Sequence, residues 1–326
     1  MIEPVIGPAP DLFDRRLLFF TGKGGVGKST VAAATALLAS NVGKRVLLVE
    51  VDAKGDIPAQ FEQRPVGFQP REIHPGILAL AMDTEASLQE YLKLNLRVPV
   101  LGRVGPLAKA LDFVASAAPG VKEILTIGKI CWEVRESIEG RSDIDLVVVD
   151  ASATGHIAAQ LGAADAIREL VDVGPVRAQT QWLSEMLADP AITAVNVVTT
   201  PEEMPVAETI ELVDKLRAQS AVPLGGIVVN RVLPELFTHA DETTFEALRE
   251  EHVLAALRTR VGDGTTAVLD AARLAVSLRR TRAVHLARLL EAVDLPLLYV
   301  PYLFVRAHGL RVTRMVADAL AAELGL

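Results

Sequence analysis

The 326-residue chain predicts an α/β fold with a doubly wound, mostly parallel sheet. Two observations lead to this prediction. Short runs rich in Val, Leu and Ile are spaced by helix-length segments, and a glycine-rich loop joins the first run to the first helix. Strands of a parallel sheet are near-continuous apolar runs because helices cover both of its faces. With 50% apolar residues, the chain can bury a large core.

Six apolar runs are predicted to be strands: Leu17–Thr21, Val46–Val51, Ile144–Asp150, Ala194–Thr199, Gly226–Asn230 and Leu297–Val300. Helical periodicity predicts helices over Lys28–Ser40, Thr84–Asn95, His156–Val171, Pro205–Gln219, Thr266–Val293 and Arg311–Leu324. The last of these helices is expected to close over the sheet. Two stretches, about 84–139 and 165–187, carry helical patterns without strands of their own. We expect them to form a helical subdomain on one edge of the sheet, within a single domain over residues 1–326.

The composition excludes several classes of protein. Acidic residues number 41 against 33 basic ones, for a net charge of −8, so no nucleic-acid partner is expected. The chain has one cysteine, Cys131, which excludes an internal disulfide and a CxxC zinc clip, and no zinc is expected. The first residues lack the basic start and apolar run of a secretory signal. We expect a cytoplasmic protein, with peripheral attachment to a membrane left open.

The strongest motif is a phosphate-binding loop of the form G-x-x-x-x-G-K-[ST], between the first predicted strand and the first helix. Its residues are Gly22, Lys23, Gly24, Gly25, Val26, Gly27, Lys28, Ser29 and Thr30. Glycines let successive backbone N–H groups turn toward phosphate oxygens, and the helix N-terminus adds positive potential. Lys28 is predicted to reach the β- and γ-phosphates, and Ser29 to bind Mg²⁺. The motif and its position predict a P-loop NTPase.

Two carboxylates end predicted strands at the edge of the sheet where α/β proteins place their ligands. Asp150 follows an apolar run in the Walker B arrangement, which predicts that it holds Mg²⁺. Asp52 follows the second strand and is predicted to face the phosphates, where it could serve the metal or the attacking water. The alternative for Asp52 is a purely structural role, in which a strand-terminal Asp caps the next turn.

The second lysine in the loop, Lys23, resembles that of the deviant Walker A ATPases, which include MinD, ParA, the nitrogenase iron protein and the ArsA family. In that group this lysine reaches the partner's nucleotide across a dimer interface, so the resemblance implies a catalytic role for Lys23 beside Lys28. Asp52 occupies the place of the aspartate that orients water in the Asp-Pro-Ala-His motif of the ArsA and tail-anchored-protein-targeting (GET pathway) branch. Here Ala53 and Lys54 follow it instead.

Further residues resemble the same branch. Residues 150–156, Asp-Ala-Ser-Ala-Thr-Gly-His, are similar to its switch II motif Asp-Thr-Ala-Pro-Thr-Gly-His, which adds Gly155 to the nucleotide site. His156 is expected to pack near the switch rather than to act as a base. Asn230 matches the asparagine that recognises adenine, and the loop at Pro301 resembles the segment that covers the base.

The resemblance implies a Mg²⁺-dependent ATPase that cycles between open and closed dimers. The dimer would be formed by two copies or by this chain and a paralogous ATPase, and its cycle would handle a membrane-protein client. Two alternatives are an energy-coupling subunit of an anion-transport system and a positioning ATPase of the MinD and ParA kind.

Overall fold

The computed structural model describes residues 12–96, 121–153, 156–163 and 175–326. The strands in these ranges are β1 (Leu17–Thr21), β2 (Val46–Glu50), β3 (Arg71–His74), β4 (Ile77–Ala81), β5 (Leu146–Asp150), β6 (Thr193–Thr199), β7 (Leu224–Val232) and β8 (Leu297–Pro301). They form one sheet in the order β3-β4-β2-β5-β1-β6-β7-β8, and every neighbouring pair is parallel except β3 and β4. The predicted doubly wound sheet and its six predicted strands are confirmed, while β3 and β4 were not predicted.

The helices are α1 (Lys28–Asn41), α2 (Asp56–Gln60), α3 (Thr84–Leu96), α4 (Val121–Ile138), α5 (Pro175–Ala188), α6 (Glu203–Gln219), α7 (His239–Leu248), α8 (Glu251–Val261), α9 (Thr265–Ala292) and α10 (Leu310–Leu324). Residues 156–163 are helical too, which confirms the first part of the helix predicted over His156–Val171, and most of the rest lies outside the described residues. The short α2 and the pair α7 and α8 were not predicted. Among the described residues, no helix is both long and apolar enough to cross a lipid bilayer.

Alternate residues of the central strands belong to two different apolar layers, because successive side chains of a strand point to opposite faces of the sheet. Leu18, Leu48 and Val148 face α1 and α10 on one side of the sheet. Leu17 and Val147 belong to the layer on the other side, with α4, α5 and α6. The C-terminal helix α10 packs against α1 and β8, as expected for a helix that closes over the sheet.

The described part of the helical elaboration packs on one face of the sheet. Helix α4 packs on β5 and α5 packs on β6, and both are internal strands, whereas β3 and β8 form the two edges of the sheet. The reason is the apolar side of each helix, which includes Ile130 and Leu187 and joins the buried core. Buried Lys129 of α4 ties α3 to α4 through ion pairs of 2.8 Å with Glu90 and 2.7 Å with Glu133. Residues 97–120 and 164–174 of this region lie outside the described residues.

The strand register brings three loops to one edge of the sheet. Asp150 of β5 is the partner of Phe20 on β1 and of Glu50 on β2. The loop after β1, the segment after β2 and the segment after β5 therefore start at the same level. This edge is formed by carboxyl ends of parallel strands, where α/β proteins bind ligands.

Candidate nucleotide-binding site

The loop between β1 and α1 has a backbone path that requires glycine at two positions. A Cβ atom on Gly22 would lie 2.1 Å from the carbonyl oxygen of Val198 on β6. Gly27 has a φ of +96°, and a Cβ atom there would lie 2.4 Å from the side-chain nitrogen of Asn230. Gly24 and Gly25 are exposed, and among the described residues no atom outside each glycine and its chain neighbours lies within 4 Å of where its Cβ atom would be. The backbone of the loop is thus closely packed at Gly22 and Gly27 and exposed at Gly24 and Gly25, which leaves room for phosphate groups to approach its N–H groups.

A hydrogen bond joins the two predicted metal ligands. Ser29 Oγ, in the first turn of α1, donates to Asp150 Oδ2 at 2.6 Å. The second oxygen, Asp150 Oδ1, is buried and accepts no hydrogen bond from any residue that the structure describes. A hydroxyl and a carboxylate are oxygen ligands that suit Mg²⁺. The described ranges contain no cluster of three or more His, Cys, Asp or Glu placed to bind a metal, so an ion at Ser29 and Asp150 would take its other ligands from phosphate and water.

The electrostatics of Asp150 suit a site that binds a cation. Burial raises the pKa of Asp150 to about 6. The hydrogen bond from Ser29 and the positive charge of Lys28 lower this pKa, whereas the carboxylates of Glu50 and Asp56 raise it further. A divalent cation beside Asp150 would favour its charged form and offset the cost of burying that charge.

Asn230 contacts the phosphate-binding loop directly. Its side chain is buried near the end of β7, and its Nδ2 atom donates to the carbonyl oxygen of Val26 at 2.8 Å. Its Oδ1 atom accepts a hydrogen bond from the backbone N–H of Arg231 at 2.9 Å. Pro301, the exposed last residue of β8, lies on the neighbouring strand. The roles of Asn230 and Pro301 at the adenine base stay predictions, and the structure adds a contact between Asn230 and the loop.

Two of the predicted catalytic side chains, Lys23 and Asp52, have partners other than Ser29 and Asp150. Lys23 forms an ion pair with Glu208 of α6, and both side chains are about one-third exposed. Asp52 is exposed just after β2, and its carboxylate lies 3.5 Å from Lys54 Nζ. The structure does not bring Asp52 into hydrogen-bonding contact with the pair.

The segment after β5 that resembles switch II is anchored to β1 by hydrogen bonds that the sequence did not predict. Thr21 Oγ1 donates to the carbonyl oxygen of Ser152 at 3.0 Å, and Ser152 Oγ donates to Gln160 Oε1 at 2.9 Å. His156 begins the helical residues 156–163 and is exposed. Gly155 lies outside the described residues. The sequence did not single out Glu50, the register partner of Asp150, or Glu208, the partner of Lys23. The only signal for Glu50 is a charged residue at the end of an apolar strand.

Comparisons with known proteins identify the family of the chain. The sequence profile of the family described as anion-transporting ATPase matches residues 15–172 and 158–257. The chain belongs to the anion-transporting ATPase family. A relative, ATPase BagA of Mycobacterium tuberculosis, is 34% identical over 297 residues, which cover 88% of this chain and 87% of BagA.

Two further relatives share shorter segments with this member of the anion-transporting ATPase family. The arsenical pump-driving ATPase of Escherichia coli is 28% identical over 274 residues, or 76% of this chain and 44% of that protein. ATPase get3 of Schizosaccharomyces japonicus is 30% identical over 161 residues, or 48% of this chain and 47% of that protein. The chain is an ATPase, as its phosphate-binding loop predicts, and the resemblance to the ArsA and tail-anchored-protein-targeting branch is confirmed.

Proposed function

We propose that this ATPase binds Mg²⁺ and ATP at the loop after β1 and cycles between an open and a closed dimer. The observation that carries the proposal is the 2.6 Å hydrogen bond between Ser29 and Asp150. It joins the first turn of the helix after the phosphate-binding loop to the end of the Walker B strand. Because the second oxygen of Asp150 is buried without a protein donor in the described ranges, the pair is prepared for a ligand.

Each residue of the site has a distinct role in this proposal. Lys28 and the backbone N–H groups of the loop hold the phosphates, and Ser29 and Asp150 hold the metal. Mg²⁺, when bound, neutralises charge that develops on the phosphate oxygens. Asp52 orients the attacking water or supports the metal. Phosphoryl transfer depends mainly on positioning and charge stabilisation, so these residues suffice without a covalent intermediate.

The dimer is proposed from Lys23 and from the resemblance of its loop to deviant Walker A motifs. In the single chain, the ammonium of Lys23 is paired with Glu208. A partner's nucleotide would compete with Glu208 for this ammonium as the two subunits close. A partly exposed ion pair contributes only about 0–1 kcal/mol, so a phosphate group can replace the glutamate at little cost. The partner is a second copy of this chain or a paralogous ATPase.

The work done by the cycle is proposed to be the handling of a membrane-protein client. The support is the match to ATPase get3 and the switch II residues of the tail-anchored-protein-targeting branch. A second candidate is the energy-coupling subunit of an anion-transport system. The named activity of the Escherichia coli relative favours it, although this chain aligns with under half of that relative.

The experiment that tests the function is mass spectrometry of proteins that co-purify with the Asp52→Asn variant in Mg²⁺ and ATP. This variant is expected to bind ATP and hydrolyse it slowly, so that it keeps its partner. The matched control is Lys28→Ala, which should not bind ATP. Enrichment of single-span membrane proteins over the control supports a client carrier. Recovery of one polytopic membrane protein would favour the transport candidate, and identical recoveries from both variants would contradict a nucleotide-dependent partner.

A further inference from the structure

A second acidic side chain is buried at the edge of the sheet beside Asp150. Glu50 ends the apolar strand β2 and is only 2% exposed. Burial raises the pKa of Glu50, and hydrogen bonds from backbone N–H groups at the start of α2 partly offset this. A buried carboxylate without full pairing is costly, and such groups either have partners or serve a ligand.

The two oxygens of Glu50 have different surroundings. Oε1 accepts a hydrogen bond from the backbone N–H of Asp56 at 2.7 Å, and so fixes the start of α2. Oε2 is buried, and no residue in the described part of the chain donates a hydrogen bond to it. One half of the side chain is therefore structural, and the other half lacks a protein donor.

The register places the free oxygen next to the proposed metal site. Glu50 and Asp150 are partners on neighbouring parallel strands, so their side chains leave the same face of the sheet. This is the face covered by α1, whose Ser29 is hydrogen-bonded to Asp150. Asp150 Oδ1 is also buried without a protein donor among the described residues. Two acceptor oxygens without partners thus share one edge, and two carboxylates repel each other unless a cation or a donor lies between them.

We propose that Glu50 is a second carboxylate of the metal centre, which holds a Mg²⁺-bound water through Oε2 while Oε1 positions the segment that carries Asp52. This inference rests on the proposed Mg²⁺ and ATP site. Mg²⁺ keeps several waters in protein sites and uses one or two carboxylates together with substrate phosphates. Glu50 is a positioning residue, because it acts through the metal-bound water and through the backbone of α2.

The same side chain connects the metal to the segment after β2. Residues 51–55 lie between Glu50 and the N–H group of Asp56 that it binds, so the carboxylate closes this segment into a loop. Asp52 lies within that loop. In this proposal, a shift of Glu50 toward the metal would also move the loop that contains Asp52, because Oε1 holds the end of that loop.

The test compares Glu50→Gln with Glu50→Ala and with a control. Glutamine keeps an oxygen that accepts the hydrogen bond from the Asp56 N–H group, but it loses the negative charge and the acceptor oxygen in the place of Oε2. Alanine loses the charge and both acceptor oxygens. The matched control is Glu72→Gln on β3, where an exposed glutamate also accepts a backbone N–H bond, from Gly76 at 3.2 Å. Mn²⁺ replaces Mg²⁺, and its free concentration is followed by electron paramagnetic resonance in the presence of ADP.

Glu50→Gln is expected to weaken Mn²⁺ binding by roughly 10–100-fold, the usual effect of losing an outer-shell partner. ADP affinity in EDTA and the thermal unfolding midpoint should stay near those of Glu72→Gln. Unchanged Mn²⁺ affinity in Glu50→Gln would overturn the inference and leave Glu50 as a structural cap of α2.

A different result is expected if the proposed Mg²⁺ site at Ser29 and Asp150 is itself wrong. In that case Asp150→Asn and Ser29→Ala would leave Mn²⁺ affinity unchanged, as Glu50→Gln does. If those two variants weaken Mn²⁺ binding and Glu50→Gln does not, only the inference on Glu50 fails.

Discussion

Asn230→Ala is the most informative single change in the nucleotide site, because two explanations for Asn230 predict different results. In the structure, its amide group donates to the carbonyl oxygen of Val26 at 2.8 Å and accepts from the N–H group of Arg231 at 2.9 Å. The resemblance to related ATPases instead implies a contact with adenine. The variant removes the side chain that holds the phosphate-binding loop, whatever its role at the base.

The size of the effect follows from the two hydrogen bonds. Each is worth about 0.5–1.5 kcal/mol net, and a buried group left unpaired costs about 1–3 kcal/mol. We therefore expect Asn230→Ala to lower the free energy of unfolding by about 2 kcal/mol. In the variant, a ligand would have to order the loop on binding, at a similar free-energy cost of about 2 kcal/mol. Because about 1.4 kcal/mol corresponds to a tenfold change in affinity, we expect phosphate binding to weaken roughly 10–30-fold.

The assay is isothermal titration calorimetry with two ligands, ATP and inorganic tripolyphosphate. If Asn230 acts by holding the loop, both affinities fall by the same factor, since tripolyphosphate has no base. Asn230→Asp should bind both ligands at least as weakly as Asn230→Ala does, because its carboxylate faces the Val26 carbonyl oxygen without a proton to donate. An unchanged tripolyphosphate affinity with a weakened ATP affinity would refute this reasoning and assign Asn230 to the base.

Three further predictions concern catalysis, dimerisation and stability. Asp52→Asn should leave ATP affinity in calorimetry intact and slow steady-state hydrolysis at least 10²-fold, the lower range for a positioned catalytic group; an unchanged rate would mean that another group positions the water. Glu208→Gln should release Lys23 and lower the ATP concentration needed for dimerisation in sedimentation velocity, whereas the control Glu211→Gln on the exposed side of the same helix should not. Lys129→Met should lower the free energy of unfolding in urea by about 2–3 kcal/mol, because it leaves two glutamates without their buried partner. No loss of stability would show that water replaces the ammonium.

The central part of the fold could be predicted because its strands are apolar on both faces. The missed strands have identifiable reasons. β3 is an exposed edge strand with the polar sequence Arg-Glu-Ile-His, so it carries no apolar run. β4 is apolar, but its Ile-Leu-Ala-Leu-Ala sequence consists mostly of residues with higher helix than strand propensity. Helix α8 has no buried residue, and therefore no apolar stripe from which to predict it.

The candidate site shows the same division between local and long-range information. The phosphate-binding loop and its pairing with Asp150 follow from a contiguous motif and an apolar strand, and both could be read from the sequence. Glu208 lies 185 residues from Lys23, and no local pattern connects the two. Glu50 becomes notable only when the register places it opposite Asp150. Burial and strand register depend on the whole sheet, so they appear only in the folded structure.

The central claim is that ATP bound at this site draws two subunits together through Lys23. The measurement that tests it most directly is sedimentation velocity of Asp52→Asn in Mg²⁺ with ATP or with ADP, repeated with Asp52→Asn/Lys23→Ala. If the partner is a paralogue, that protein is added in equal amount. The account predicts a dimer in ATP, monomers in ADP, and monomers in both nucleotides once Lys23 is removed. An association state that is the same in ATP and ADP, or a dimer in ATP that persists without Lys23, would contradict it.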